Sequence, residues 1–497
     1  MKQSAKALYA ALSTERSPYV TRAELCAALT IPSLFPREGG KGEHFVAPYQ
    51  GVGARAVKSL ASKIFMALFP PETPFFRLKV DPTELSNLSG ATQGKVEEGL
   101  SKLERMIVDA LEARTIRPSA YEGIKQLIVA GNVLLHLGKE RVRIFRLDRY
   151  VVRRDPMGLP LDIIVEEDYQ TKDLDEDMLN SLDAECARQK TVKLYTWVRR
   201  TENGWESEQY VEETKVPGSE STYAEGRCPW LPLRMIQVAG EDYGRSYVEE
   251  HIGDLQSLES LAKSMNQGAK AAARIVFLVR PNGMTNVKSL NEAENGGFVA
   301  GNPDDIHCVQ LDKHADLAVA KAEADEIRTG IAQAFLMTAS IQRKGDRVTA
   351  EEIRTLAGEL EQVLGGVYSL LSVEFQAPLV GVTIGRLEAE GTIPEFPEGT
   401  FRPAIITGTD ALGRGQDLQR LVTAMNAMAP MGAPALGAID MGEMWKRVLA
   451  ALGVEEKGLI KTQEQLQAEN QQAQAAALLE KLGPEALKMS QQQGQKT

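Results

Sequence analysis

At 497 residues the chain is too long for one ordinary hydrophobic core, so two or three folding units are expected. Its 43% hydrophobic content is that of a globular protein and excludes wholesale disorder. A formal net charge of −11 excludes a surface that grips nucleic acid all over, because neutralising phosphates needs an excess of Lys and Arg.

The same charge suits a protein past which a polyanion slides. No apolar run reads as long enough to cross a bilayer and the first residues carry no signal-peptide pattern, so a soluble, non-exported protein with no membrane partner is expected. Cys26, Cys186, Cys228 and Cys308 are far apart and form no C-x-x-C pair, which points to idle thiols in a reducing cytosol.

In chain order, Pro48 to Leu68 predicts a helix with Ala56, Leu60, Ile64 and Ala67 on one face, stopped by Pro70-Pro71. A second helix is expected from Val96 to Ala113. Val133 to Leu137, Arg141 to Arg153 and Leu161 to Val165 are rich in branched residues and predict strands, with turn chemistry at Asp155-Pro156-Met157-Gly158. A hairpin is expected from Thr191 to Tyr210 around Glu202-Asn203-Gly204. Together these predict an α+β region up to about residue 240.

The middle of the chain changes character. Ser246-Tyr247-Val248-Glu249 has capping-box spacing and opens a proline-free stretch. Leu255, Leu258, Ala262, Met265, Ala269, Ala272 and Val276 recur in steps of three and four, a heptad seam whose alanines admit a close partner. A helix from Tyr247 to Leu278 would be roughly 48 Å long at about 1.5 Å per residue. One narrow seam on so long a polar rod suits packing against other rods.

Arg280 to Asp312 is full of turn formers, including Pro281-Asn282-Gly283, Glu294-Asn295-Gly296-Gly297 and Gly301-Asn302-Pro303. A second rod is expected from Asp316 to Met337, with Ile327, Ile331 and Phe335 spaced by four. Two rods joined by a compact β excursion make a stalk with a tip.

A short basic stretch, Arg343-Lys344-Gly345-Asp346-Arg347, precedes a second capping box at Thr349-Ala350-Glu351-Glu352. The long helix it opens carries Ile353, Leu356, Leu360, Val363, Val367 and Leu371, and should bend at Gly365-Gly366 and Pro378. Beyond Pro394 and Pro397 a small helical region is expected from Asp410 to Leu452, followed by a Gln/Ala-rich mobile tail.

Several stretches of this order resemble the podovirus portal, or bacteriophage head-to-tail connector, family. They are Gly53-Ala54-Arg55 with Leu60-Ala61-Ser62-Lys63, Leu68-Phe69-Pro70-Pro71, and Phe75-Phe76-Arg77-Leu78. Further along are Val152-Arg153-Arg154-Asp155 with Gly158, and Asp242-Tyr243-Gly244-Arg245-Ser246. The most specific is Ala334-Phe335-Leu336-Met337 followed by Arg347-Val348-Thr349-Ala350-Glu351-Glu352-Ile353-Arg354. The likeness runs from about residue 15 to 395.

The resemblance implies an α+β, mainly α, portal-type fold assembled as a dodecameric ring. By it, residues 1–245 are the wing, 246–279 the first stem helix, 280–312 the clip and 313–338 the second stem helix. Residues 339–348 are a tunnel loop, 349–395 a long wing helix, 396–455 a helical crown and 456–497 the tail. It implies a virion protein of the capsid portal vertex, assembled in the host cytoplasm, through which double-stranded DNA is packaged and ejected without sequence reading. Its implied partners are further copies of itself, terminase, a tail adaptor, and capsid and scaffolding proteins. Arg343, Lys344 and Arg347 would form a cationic collar, and Asn282, Asn291, Glu292, Asn295 and Asn302 of the clip would dock partners. The alternative is another long-helix viral scaffold or adaptor without a DNA channel.

No enzyme, cofactor or metal site is expected. Asp173-Leu174-Asp175-Glu176-Asp177 begins like a calcium loop but has Met178 where glycine and Ala184 where the closing glutamate are needed, so it reads as an acidic helix start. Gly408 to Gly415 has the glycine spacing of a phosphate loop without its Lys and Ser/Thr, so it reads as a turn and cap. His44, His136, His251, His307 and His314 fit no zinc spacing and read as surface or loop residues. The arginine-rich hairpin (Arg141, Arg143, Arg146, Arg149, Arg153, Arg154) could meet nucleic acid or the acids of a neighbouring subunit.

Overall fold

The computed structural model describes residues 4–36, 45–70, 75–80, 90–114, 116–174, 188–273, 276–309, 314–337, 366–394 and 401–405, with Met178, Leu360 and Leu364. Residues 1–408 form one compact unit; 409–497, a second unit, lie outside the described residues, and with them the helices expected there and the Gln-rich tail.

The first helix, α1 (Ala5–Leu29), starts on Ser4, whose Oγ accepts from Ala7 N–H at 3.2 Å. No sequence expectation covered it, because its apolar residues are spread around the helix and Pro18 interrupts it. It is held by buried Arg16, which donates to Tyr150 O at 2.6 Å. Helix α2 (Val52–Leu68) buries Ala56, Leu60, Ile64 and Ala67 as its spacing predicts. Strand β1 (Phe76–Val80) and helix α3 (Gly90–Ala113) follow.

Helix α4 (Ile116–Ala130) runs directly into β2 (Asn132–Leu137) through Gly131, with nearly every residue from Ile124 to Leu135 buried. Gly131 has φ +74°, and a Cβ there would lie 2.6 Å from the Arg245 carbonyl carbon, so the turn requires glycine. Strand β3 (Val142–Phe145) pairs with β2 and β10 (Trp230–Arg234) with its other edge.

A larger antiparallel sheet takes β4 (Tyr150–Arg154), β5 (Pro160–Gln170), β6 (Thr191–Thr201), β7 (Gly204–Val211) and β8 (Thr214–Lys215) in order, with β9 (Ser221–Tyr223) on β7. The turn at Asp155 to Gly158 and the hairpin at Asn203 fall where turn residues demand them. The expected strand from Arg141 to Arg153 is two strands separated by a 3₁₀ turn at Leu147–Arg149. Of the acidic calcium-loop mimic, Asp173 ends a 3₁₀ turn and residues 175–177 lie outside the described residues.

The first rod is shorter than expected. A one-turn helix α5 (Tyr247–Glu250), capped by Ser246 Oγ on Glu249 N–H at 3.1 Å, leads into α6 (Ile252–Ala272). The chain then becomes strand β11 (Val276–Val279), so Val276, the last residue of the expected seam, lies on a strand. Val276-Phe277-Leu278-Val279 is branched and aromatic, and strand preference there prevails over the heptad spacing. After α7 (Val287–Asn291), β12 (Ile306–Val309) returns antiparallel to β11. The tip therefore begins at 276, inside the segment assigned to the rod. The second rod is α8 (His314–Ala334).

The long third helix is described from α9 (Gly366–Leu371) through one π turn (Ser372–Gln376) into α10 (Ala377–Ala389). Pro378 has no N–H to give, and the widened turn before it, with Ala377 N–H on Ser372 O, accommodates the lost bond. Gly366–Ala389 is, against the sequence expectation, long and apolar enough by composition to cross a bilayer. Its Leu371, Phe375, Leu379, Val380 and Leu387 are buried in the main core, as in a core helix. Strand β13 (Phe401–Ile405) pairs antiparallel with β1, so a strand stands where the start of a helical crown was expected.

Candidate functional site

The two rods lie side by side and antiparallel. At their base Tyr247 Oη donates to Ala334 O at 2.9 Å, and the Tyr247 and Phe335 rings meet edge to face at 5.1 Å. Leu255, Leu258, Ala324, Ile331 and Phe335 are buried there. Towards the tip Gly268 lets α8 approach: a Cβ on it would lie 3.2 Å from Leu317 Cδ2. The second rod ends on Leu336, buried and with φ +53°, a left-handed cap where glycine is the usual residue.

The tip is organised around one buried carboxylate. Asp305, 4% exposed, accepts from Thr285 N–H at 3.2 Å and Thr285 Oγ1 at 3.1 Å. Asn302 N–H donates to Thr285 Oγ1 at 2.8 Å, and a Cβ on Gly283 would fall 2.6 Å from the Asp305 carboxyl carbon. This polar nucleus lets a segment with little apolar core hold one shape. Its outer surface carries Phe277, Leu278, Met284, Val287, Leu290 and Phe298, all exposed.

Below the rods, three segments meet at a buried charge cluster. Arg154 and Arg234, with side chains 3% and 4% exposed, both reach the Glu374 carboxylate of the π turn. Arg234 Nε donates to Glu374 at 3.0 Å and its backbone N–H at 3.1 Å. Arg154 donates to the carbonyls of Gly158, Pro232 and Asp242 at 2.8–2.9 Å, and its N–H donates to Asp242 Oδ1 at 2.9 Å. Burial lowers the Arg154 pKa to about 10 against the pull of Glu374. Tyr243 Oη accepts from Val152 N–H at 3.0 Å. The motifs at 152–158 and 242–246, remote in sequence, are thus one joint that fixes the first rod to the large sheet and to the third helix.

The family of bacteriophage head to tail connecting proteins matches residues 2–460. The chain belongs to that family. It is 41% identical over 483 residues to the portal protein of Escherichia phage T7, covering 94% of this chain and 90% of that one. It is likewise 41% identical over 484 residues to the portal protein of Enterobacteria phage T3, with the same coverage. To the portal protein of Enterobacteria phage SP6 it is 33% identical over 481 residues, covering 94% and 92%. A chain in the virion of a native gene transfer agent particle is a distant structural likeness, with TM-score 0.37 and 14% identity, covering 81% of this chain and 90% of that chain. A head-to-tail connector is a structural protein and not an enzyme.

Within this connector chain the expected site residues are distributed unevenly. Leu255 and Leu258 are buried and Ala262 and Met265 half-buried, whereas Ala269 and Ala272 are exposed in the single chain. Leu261 and Gly268 are half-buried too, so the covered stripe drifts with the 3.6-residue turn away from Ala269 and Ala272. Asn282, Asn291, Glu292, Asn295 and Asn302 are all exposed on the tip. Arg343, Lys344 and Arg347, and the capping box at 349–352, lie outside the described residues, as do His44, Cys186 and the Gly408 to Gly415 loop.

Most of the arginine-rich hairpin is paired within the chain. Arg143 pairs with Glu167, Arg146 with Asp148, Arg149 with Asp168 and Arg153 with Asp162, all within the chain. Arg153 stands directly opposite Asp162 on the paired strands β4 and β5, and Arg146 pairs with Asp148 at the 3₁₀ turn. His136 is a sheet residue rather than a surface one: it stacks on Trp230 at 3.9 Å, and burial, with Arg143 and Arg386 nearby, lowers its pKa to about 4. Burial pushes the Cys26 and Cys228 thiols up to about 12, while Cys308 is exposed on the tip. Among the described residues no three metal-ligating side chains converge.

The sequence reading missed Glu374, Arg234 and the apolar surface of the tip. The first two carried a signal only in retrospect, as charges inside segments otherwise rich in apolar residues.

Proposed function

We propose that this chain is the portal of a short-tailed phage: a dodecameric ring at one capsid vertex through which double-stranded DNA enters and leaves. The observation that carries the reading is the identity to portal proteins over nearly the whole chain, joined to a paired-rod stalk with a compact tip. In this reading the rods form the stem around the channel, and the tip (276–309) docks terminase during packaging and a tail adaptor afterwards. The large sheet and α1 to α4 form the wing, which meets capsid and scaffolding proteins. The crown is drawn from residues beyond 408, and assembly takes place in the host cytoplasm.

The loop holding Arg343, Lys344 and Arg347 is the restraint on packed DNA. An acidic chain presents a channel wall with little affinity for DNA, which favours sliding, and a weak phosphate contact repeated around a ring supplies the hold. Replacing all three residues by alanine is expected to leave ring yield intact and to reduce DNA per particle. Full heads with the triple variant would remove the loop from the mechanism, and collapse of ring yield would make these residues structural.

A further inference from the structure

The outward faces of the two rods carry opposite charge. On α6, Gln256, Ser260, Lys263, Gln267 and Lys270 are all exposed and recur in steps of four and three, which aligns them along one side of the helix. At about 100° per residue this side is nearly half a turn from Leu258 and Met265, which face α8. Beyond Glu259, whose carboxylate accepts from the Tyr49 and Gln50 N–H groups at 2.9 and 3.1 Å, α6 has no acid.

On α8, Asp316, Val319, Glu323, Glu326, Gly330 and Gln333 are also all exposed and recur in steps of three and four. This stripe holds three acids and no base. The two cations of α8, Lys321 and Arg328, lie on its other flank, where Arg328 pairs with Asp325. By contrast, the arginines of the large sheet nearly all have acids beside them in the same chain. Among the ion pairs of the described residues, none involves Lys263, Lys270, Asp316 or Glu323.

The spacing of the two stripes matches. Lys263 and Lys270 are seven residues apart, as are Asp316 and Glu323. Within the chain Gly268 lies level with Leu317 and Tyr247 with Ala334. Because the rods are antiparallel, Lys270 stands within about a turn of the height of Asp316, and Lys263 within about a turn of Glu323. At about 100° per residue the acidic stripe centres roughly a third of a turn from Ala324, Ile331 and Phe335, the buried face of α8, so the two stripes look out to different sides of the rod pair. A rotation about an axis along the rods keeps height, so it brings the lysines of one copy to the acids of the next in register.

We infer that the lysine stripe of α6 and the acidic stripe of α8 form the two halves of a head-to-tail interface between successive copies of this chain. The partner is a second copy, and the chemistry is a ladder of Lys–carboxylate pairs flanking small residues. The inference rests on the ring reading above and adds to it which faces meet and in which direction. A heterologous contact of this kind closes into a ring when its rotation divides a full turn, and otherwise gives open filaments.

The test is a charge exchange in the full chain, read by native mass spectrometry and negative-stain microscopy. Lys263→Glu with Lys270→Glu places acid against acid; Asp316→Lys with Glu323→Lys places base against base. Each pair of substitutions alone is expected to reduce ring yield on the order of tenfold or more, the loss being greatest at low salt. Mixing the two variant chains, or joining all four substitutions in one chain, is expected to restore rings, and circular dichroism of each variant shows that it is folded. Normal ring yield from either single-sided variant overturns the inference, as does failure of the four-fold exchange to restore rings when the chain is folded. If the lysine variant assembles normally but its particles lose DNA, the stripe faces the nucleic acid instead. Should the unmodified chain itself form no rings in the same experiment, the ring reading fails first, and the two failures are distinguishable.

Discussion

Replacing Glu374 by alanine should destabilise the chain by about 3–5 kcal/mol, because it strands buried positive charge. The magnitude follows from what each arginine keeps. Arg154 retains the carbonyls of Asp242, Gly158 and Pro232. Arg234 retains only Gly158 O, at 3.3 Å, and its backbone N–H loses its acceptor as well. The loss therefore belongs in the upper part of that range, and falls mainly on Arg234. Glu374→Gln keeps an acceptor while removing the charge, and should cost about 2 kcal/mol. Joining Glu374→Leu with Arg234→Met should recover part of the loss, since only Arg154, which keeps three carbonyl acceptors, then lacks its carboxylate. Urea unfolding of unassembled chain, followed by tryptophan fluorescence, measures all three. A loss below about 1 kcal/mol for Glu374→Ala, or strict additivity of the double variant, would refute the argument that this cluster pins the π turn to the sheet.

Two further outcomes follow from single residues. His136 has its folded-state pKa lowered from an ordinary 6.5 to about 4, so the unfolded chain binds the proton more readily; stability should fall as pH drops from 6.5 towards 4, and His136→Phe should flatten that limb of a pH-dependent melting profile. Gly283→Ala forces a Cβ against the Asp305 carboxylate, so amide exchange should accelerate across 276–309 while the protection of α1, α4 and the large sheet is unchanged, and unchanged exchange in the tip would mean that Asp305 does not organise it.

What the sequence conveyed depended on how local the signal was. Helix α2, the Leu161 to Val165 part of β5 and the hairpin from Thr191 to Tyr210 were legible because apolar spacing and turn residues agreed. Helix α4 was not, since the mostly apolar run from Leu127 through Gly131 and Asn132 into β2 carries neither period. Helix α1 was hidden by its spread of apolar residues and Pro18. The rod was read too long because Ala269, Ala272 and Val276 continue a heptad that the branched run at 276–279 ends. The asparagines and Glu292 proposed for docking are exposed on the tip, and nothing local in the sequence marks Phe277, Met284 and Phe298 as left uncovered by the fold. The role of Arg154, Arg234 and Glu374 depends on three segments meeting, which no spacing in one chain announces.

Ring formation is tested most directly by electron microscopy of the purified chain, with particle mass determined alongside. The expected result is closed rings with a central opening wide enough for a DNA duplex, the paired rods standing around that opening and the tips at one end. A population of monomers alone, or of open filaments that do not close, at concentrations where the chain is folded would contradict it.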